Sequence, residues 1–220
     1  MSHPLAVEHE YEPVPGLPEN LPDGEKIVWQ GRPESQPFAR RVMKTRWMLG
    51  YFGVLILWAI AAAIHDGRTV GSILFSVAVL GLLTALLLGL CELYALGVRK
   101  TTLYTITNER IVMRIGVALS LTLNIPFRQI AAVNRVDFPD GTGTLTVQLK
   151  NEQRFAWLIL WPHTRPWHFA APEPALRCIG DVDAATQALL RNLSQHGAAS
   201  APATKRASRV LNDHPELAAG

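Results

Sequence analysis

Residues 47–64, WMLGYFGVLILWAIAAAI, and residues 70–91, VGSILFSVAVLGLLTALLLGLC, decide the fold. The runs are 18 and 22 residues long, and neither contains a charged residue. As helices they reach roughly 27 and 33 Å, close to the hydrocarbon thickness of a bilayer. Neither has a polar face, which argues against a helical hairpin buried in a soluble core. Asp66, Arg68 and Glu92 are the only formal charges between Trp47 and Val98. That block accounts for a whole-chain charged content of 18%, against roughly 25% in an ordinary soluble protein.

Basic residues flank the runs unequally. Arg40, Arg41, Lys44 and Arg46 precede the first, and Arg99 and Lys100 follow the second. The short connection holds Arg68 offset by Asp66. The positive-inside rule therefore predicts a multi-pass membrane protein with both termini in the cytoplasm and the short connection outside. Membrane lipids are thus an expected partner, and both cysteines, Cys91 and Cys178, are expected to be reduced thiols. A cleaved signal peptide does not fit, because an acidic, proline-rich arm precedes the first apolar run.

Four regions are expected. Residues 1–46 form the arm and a basic juxtamembrane segment, and 47–98 hold the spans 47–64 and 70–91. Residues 101–196 form a folded domain, and 197–220 a disordered tail rich in Ala, Ser and Pro. Within the first region, Ile27–Gln30 reads as a short strand. Within the domain, strands are expected around 103–107, 110–115, 120–125, 130–138, 144–149 and 155–161. Asn108 is expected to hold a left-handed turn between the first two. Pro172 and Pro174 suggest a helix ended by Gly180. Asp181 is placed to cap a second helix with Val182, Ala185, Leu189 and Leu193 on one face. This pattern predicts a small β-barrel or an orthogonal sandwich closed by a C-terminal helix.

Catalytic signals are sparse. There is no Gly-rich phosphate loop and no nucleophile elbow. Asp137 and Asp140 flank the Gly141–Gly143 turn. None of the seven histidines lies well inside an apolar run, and His163 and His168 lack a nearby carboxylate for a metal set. No enzyme activity, metal or cofactor is expected. A net charge of +3 gives no reason to expect nucleic acid. Glu92, near the inner end of the second run, is read as snorkelling to water.

Two surface features remain. Gly81, Ala85 and Gly89 make a small-residue stripe for helix packing, open to the first span, a second copy in a homo-oligomer, or a client helix. Trp161, His163, Arg165, Trp167 and His168 cluster among prolines as a partner-binding candidate, because tryptophan and arginine anchor interfaces. The competing reading folds both tryptophans onto the domain.

The stretch Tyr104–Val112 (YTITNERIV), then Arg114-Ile115-Gly116 and Ile125-Pro126-Phe127, resembles the bacterial pleckstrin-homology (PH) domain found beside transmembrane hairpins. Residues 11–18 (YEPVPGLP), 24–31 (GEKIVWQG) and 160–167 (LWPHTRPW) together resemble the photosynthetic complex assembly family of purple bacteria, PuhB. The resemblance spans roughly residues 8–195. It implies an α+β membrane protein of the bacterial inner (intracytoplasmic) membrane, with a two-helix transmembrane hairpin followed by a PH-like small β-barrel with a C-terminal helix. It also implies a non-catalytic assembly factor whose partners are reaction-centre and light-harvesting subunits or their assembly intermediates. The alternative is a lipid- or peptide-binding PH-like membrane adaptor unrelated to photosynthesis.

Overall fold

The computed structural model describes residues 17, 20–117, 120–150, 160–165 and 172–196, and the backbone of 200–206. The chain divides into two compact units: residues 1–34 together with 101–220, and residues 35–100. The helical unit is thus inserted between two strands of the other. This differs from the boundary expected at residue 46. Strand β1 (Ile27–Gly31) belongs to the sheet domain because it pairs antiparallel with β2 (Leu103–Thr107), with Gly31 opposite Tyr104.

In the inserted unit, a short α1 (Ser35–Arg41) precedes α2 (Thr45–His65) and α3 (Val70–Thr101). Both long helices are long and apolar enough to cross a membrane. Lys44 adopts a left-handed conformation, φ 60°, and separates α1 from α2. Helix α3 continues ten residues beyond the apolar run ending at Cys91, so Glu92 follows that run within the same helix.

In the sheet domain, β1 and β2 are followed by β3 (Arg110–Ile115) and β4 (Leu121–Pro126), giving one sheet in the order β1-β2-β3-β4. A second sheet contains β5 (Ile130–Asp137), β6 (Gly143–Leu149), β7 (Ala175–Ile179) and β8 (Ser200–Arg206), in the order β7-β6-β5-β8. The expected barrel is therefore two four-stranded sheets and is not closed. Pro126 ends β4, and a 3-10 turn, Phe127–Gln129, separates it from β5. At the other seam Pro33, just past the end of β1, makes one isolated bridge to Ile179 of β7, where the proline has no N–H to extend a ladder.

Alternation sets the core. Tyr104 and Ile106, then Ile111, Met113 and Ile115, then Leu123 and Ile125 point inward from the first sheet. Ile130, Val133, Leu145, Val147, Leu176 and Ile179 meet them from the second. Helix α4 (Val182–Gln195) adds Val182, Ala185, Leu189 and Leu193, the face read from its spacing. Asp181 caps it by accepting the Ala184 N–H at 3.3 Å.

Two expectations fail here. Residues 175–179 form β7, not a helix. Their neighbour β6 offers an antiparallel ladder, which outweighs the local proline signal. The pairing contains a bulge: Arg177 and Cys178 oppose the single residue Thr144. Cys178 takes the left-handed conformation, φ 51°, and donates its N–H to the Thr144 hydroxyl at 3.3 Å. The tail is also not wholly irregular, because the backbone of Ser200–Arg206 pairs parallel with β5.

Gly143 faces the start of α4. A Cβ there would fall 2.6–2.9 Å from three side-chain carbons of Val182, a β-branched residue with little freedom to move. Gly143→Ala should lower the urea-unfolding stability of the full chain in detergent by about 1–3 kcal/mol. Adding Val182→Ala should recover part of that loss, and an unchanged midpoint for the single variant would contradict this packing.

Candidate functional site

The segment 160–165 does not form a single exposed cluster. Trp161 is 41% exposed, whereas His163 is 1% exposed, so His163 is not available to a surface partner. Arg165 is half-buried and pairs with Glu173 at 3.0 Å, and Glu173 also accepts from Gln148 at 2.8 Å. The Thr164 hydroxyl donates to the Glu173 carbonyl, and the Ala175 N–H to the His163 carbonyl. The segment is therefore stitched to the chain entering β7. Trp167 and His168 lie outside the described residues.

His163 lies in a polar network that sequence reasoning missed. Its Nδ1 is 2.7 Å from the Tyr104 hydroxyl, and its Nε2 is 3.4 Å from the Thr102 hydroxyl. Tyr104 already accepts the Arg177 backbone N–H at 3.3 Å, which leaves its own proton for Nδ1. The consistent tautomer carries hydrogen on Nε2, aimed at Thr102. Burial, with a smaller contribution from the nearby Arg177 guanidinium, pushes the His163 pKa down to about 3. Burial raises the Tyr104 phenol well above its ordinary range. Both groups are locked neutral, which suits a structural clamp rather than proton transfer. Arg177 donates to the Thr164 carbonyl at 2.8 Å. In the sequence Tyr104 looked like one more strand aromatic, and only the fold puts it against a histidine 59 residues away.

A second clasp joins the arm to the first hairpin. The Asn108 side chain accepts the Lys26 N–H at 2.7 Å and donates to the Gly24 carbonyl at 3.1 Å. Arg110 grips Glu25 through two hydrogen bonds of 2.9 and 3.0 Å, with Glu25 largely buried. Asn108 does not adopt the expected left-handed conformation; among the described non-glycine residues only Lys44 and Cys178 do. Its amide bridges two segments instead. The motif 24–31 and the motif 104–112, far apart in sequence, are thus two halves of one joint.

At the far end of α4, His196 lies 3.1 Å from Glu109 and packs its ring on Phe127. The Asn192 carbonyl and Glu109 raise its pKa. In the helical unit the Gly81–Gly89 stripe is open. A Cβ at Gly81 or Gly89 would meet nothing within 4 Å, and Ala85 is exposed.

Two helices long and apolar enough to cross a membrane, two four-stranded sheets and a capping helix define a PH-like protein with a membrane hairpin. The bacterial PH domain family matches residues 47–194, and the chain belongs to that family. It is 37% identical over 175 residues, covering 79% of this chain and 82% of the relative, to a Rhodobacter capsulatus protein named "Uncharacterized 23.7 kDa protein in puhA 5′ region". No solved structure matches the chain.

Two tests follow from this geometry. Asn108→Gly should cost about 1 kcal/mol by urea unfolding, because it removes the tether. A left-handed turn would instead tolerate glycine without loss. The two histidines should give opposite pH dependence. Unfolded His163 takes up its proton near pH 6.5, but folded His163 resists until about 3. Its stability contribution is therefore present above pH 6.5 and lost as pH falls toward 3, with a slope of at most about 1.4 kcal/mol per pH unit. His163→Gln should flatten that acid limb. The folded pKa of His196 is raised, so its contribution is present below about pH 6.5 and lost as pH rises through the folded value. Glu109→Gln should weaken that second dependence, seen as a lower His196 pKa by NMR titration.

Proposed function

We propose that this chain is a non-catalytic assembly factor of the bacterial inner membrane, serving the photosynthetic reaction-centre and light-harvesting core complex. The observation that carries the reading is its 37% identity to the protein from the puhA 5′ region, across most of both chains. The PuhB-like segments at 11–18, 24–31 and 160–167 support it. In this reading α2 and α3 span the bilayer, with both termini and the sheet domain in the cytoplasm. The basic flanks support that orientation. The β1–β2 pairing fits two spans, because strands on either side of the hairpin can pair only if its two ends lie on one side of the membrane, whichever side that is. Client subunits, or intermediates on the way to the core complex, meet the open faces of the spans and the exposed edge around Trp161.

Membership in a PH family favours a second reading, a lipid- or peptide-binding adaptor unrelated to photosynthesis. Gene deletion separates the two. An assembly factor predicts a reduced amount of core complex on native gels, with no single bacteriochlorophyll precursor accumulating. Normal core-complex levels would favour the adaptor, and one accumulating precursor would favour an enzyme. Trp161→Ala should reach the membrane at normal level yet restore less core complex. Full restoration would remove Trp161 from the contact surface. A tag at Gly67 should be reachable from outside intact cells, and tags at either terminus should not.

A further inference from the structure

The sheet domain carries one strand of a different kind. Strand β8 (Ser200–Arg206) lies on the outer edge of β5, and this pairing is parallel, whereas the other strand pairings are antiparallel. Parallel ladders are slightly weaker per residue. The ladder is also interrupted. Ala132 pairs with Ser200 and Asn134 with Ala203, so Ala201 and Pro202 stand opposite Val133 alone, and Pro202 has no N–H to give. The sequence of β8, SAPATKR, contains no aromatic and no branched aliphatic residue, unlike each of the strands before it.

Strand β5 does not need this neighbour. Its other edge pairs with β6 from Ile130 to Asp137, and Ile130 and Val133 are buried in the core. Losing β8 would leave β5 in place and expose a row of backbone N–H and C=O groups, the kind of edge that accepts an added strand. One end of that edge is acidic. Arg135 is shared by Asp137 and Asp183, one cation against two carboxylates, and Asp183 is exposed. In the β5–β8 register Lys205 and Arg206 stand opposite Val136 and Asp137. A strand that enters with two basic residues at its C-terminal end matches this charge.

We infer that the outer edge of β5 is a strand-docking site. It is held in the free chain by residues 200–206 and is open, in their place, to an extended segment of another polypeptide with small residues followed by a basic pair. The tail is then an intramolecular competitor. Only residues 197–199 separate it from His196 at the end of α4, which keeps its effective concentration high. The site does not depend on the photosynthetic reading.

Two measurements on the full chain in detergent test this. Hydrogen exchange should release the backbone N–H groups of β8 at least about a hundredfold faster than those of β6, because β8 opens without the core. Equally slow exchange in the two strands would make β8 a fixed part of the fold and overturn the site. The second measurement is fluorescence anisotropy, with a labelled peptide of residues 198–208 as the probe. Ala203→Pro with Lys205→Pro removes two donors from the resident strand, and this variant should bind the peptide at least about tenfold more tightly than the native chain does. A peptide N-methylated at alternate residues should not bind. Lys205→Glu with Arg206→Glu in the peptide should weaken binding about threefold at low salt. No binding to the proline variant, or equal binding to both chains, would overturn the proposal. A native dimer that the proline variant does not form would assign the edge to the tail of a second copy, and would overturn the reading of a different partner.

Discussion

The pairing of β1 with β2 is the constraint on which the rest of this structure depends. Two strands separated by the whole helical unit are neighbours in one sheet, with Gly31 opposite Tyr104. The loop they close is long, and closing a long loop carries an entropic cost that the pair must offset. It does so at both ends. Asn108, Glu25 and Arg110 hold the start of β1 against the β2–β3 turn. At the other end the Gln30 side chain donates to Thr105, and the Trp29 indole lies over Gly31, where a side chain would not fit. The start and end of the inserted helices are tied together by the sheet, whatever the hairpin's own packing.

Polar groups in the sheet domain complete this closure. Thr102, the residue that joins α3 to β2, is bound to His163, and His163 to Tyr104. The same short segment is stitched to Glu173 and Arg177 ahead of and within β7. A buried network of this kind contributes little net energy compared with an apolar core, but it is costly to leave half made. It therefore favours one register at the point where the chain returns from the helices.

The helical unit has the opposite character. Its long helices carry large exposed apolar residues, including Leu57, Trp58, Phe75, Leu82 and Leu86, and an open small-residue stripe. In water such surface would aggregate; in a bilayer it is solvated and free to meet other helices.

The sequence by itself determined the elements whose signal is local. The two apolar runs, the alternating strands expected around 103–107, 110–115, 120–125 and 144–149, each found within a residue of those bounds, and the capped helix after Asp181 follow from residue periodicity, because burial on one face imposes it. Only the tertiary structure decided how they join. Strand β7 looked like a helix start because two prolines precede it, and its pairing with β6 has no local signature. Asn108 looked like a turn residue, and its amide proved to be a bridge to Gly24 and Lys26, more than eighty residues away. His163 looked like part of a surface cluster, but burial against Tyr104 removed it from the surface. These are contacts between distant segments, set by the three-dimensional pairing of strands, and residue order alone does not encode which distant group a side chain will meet.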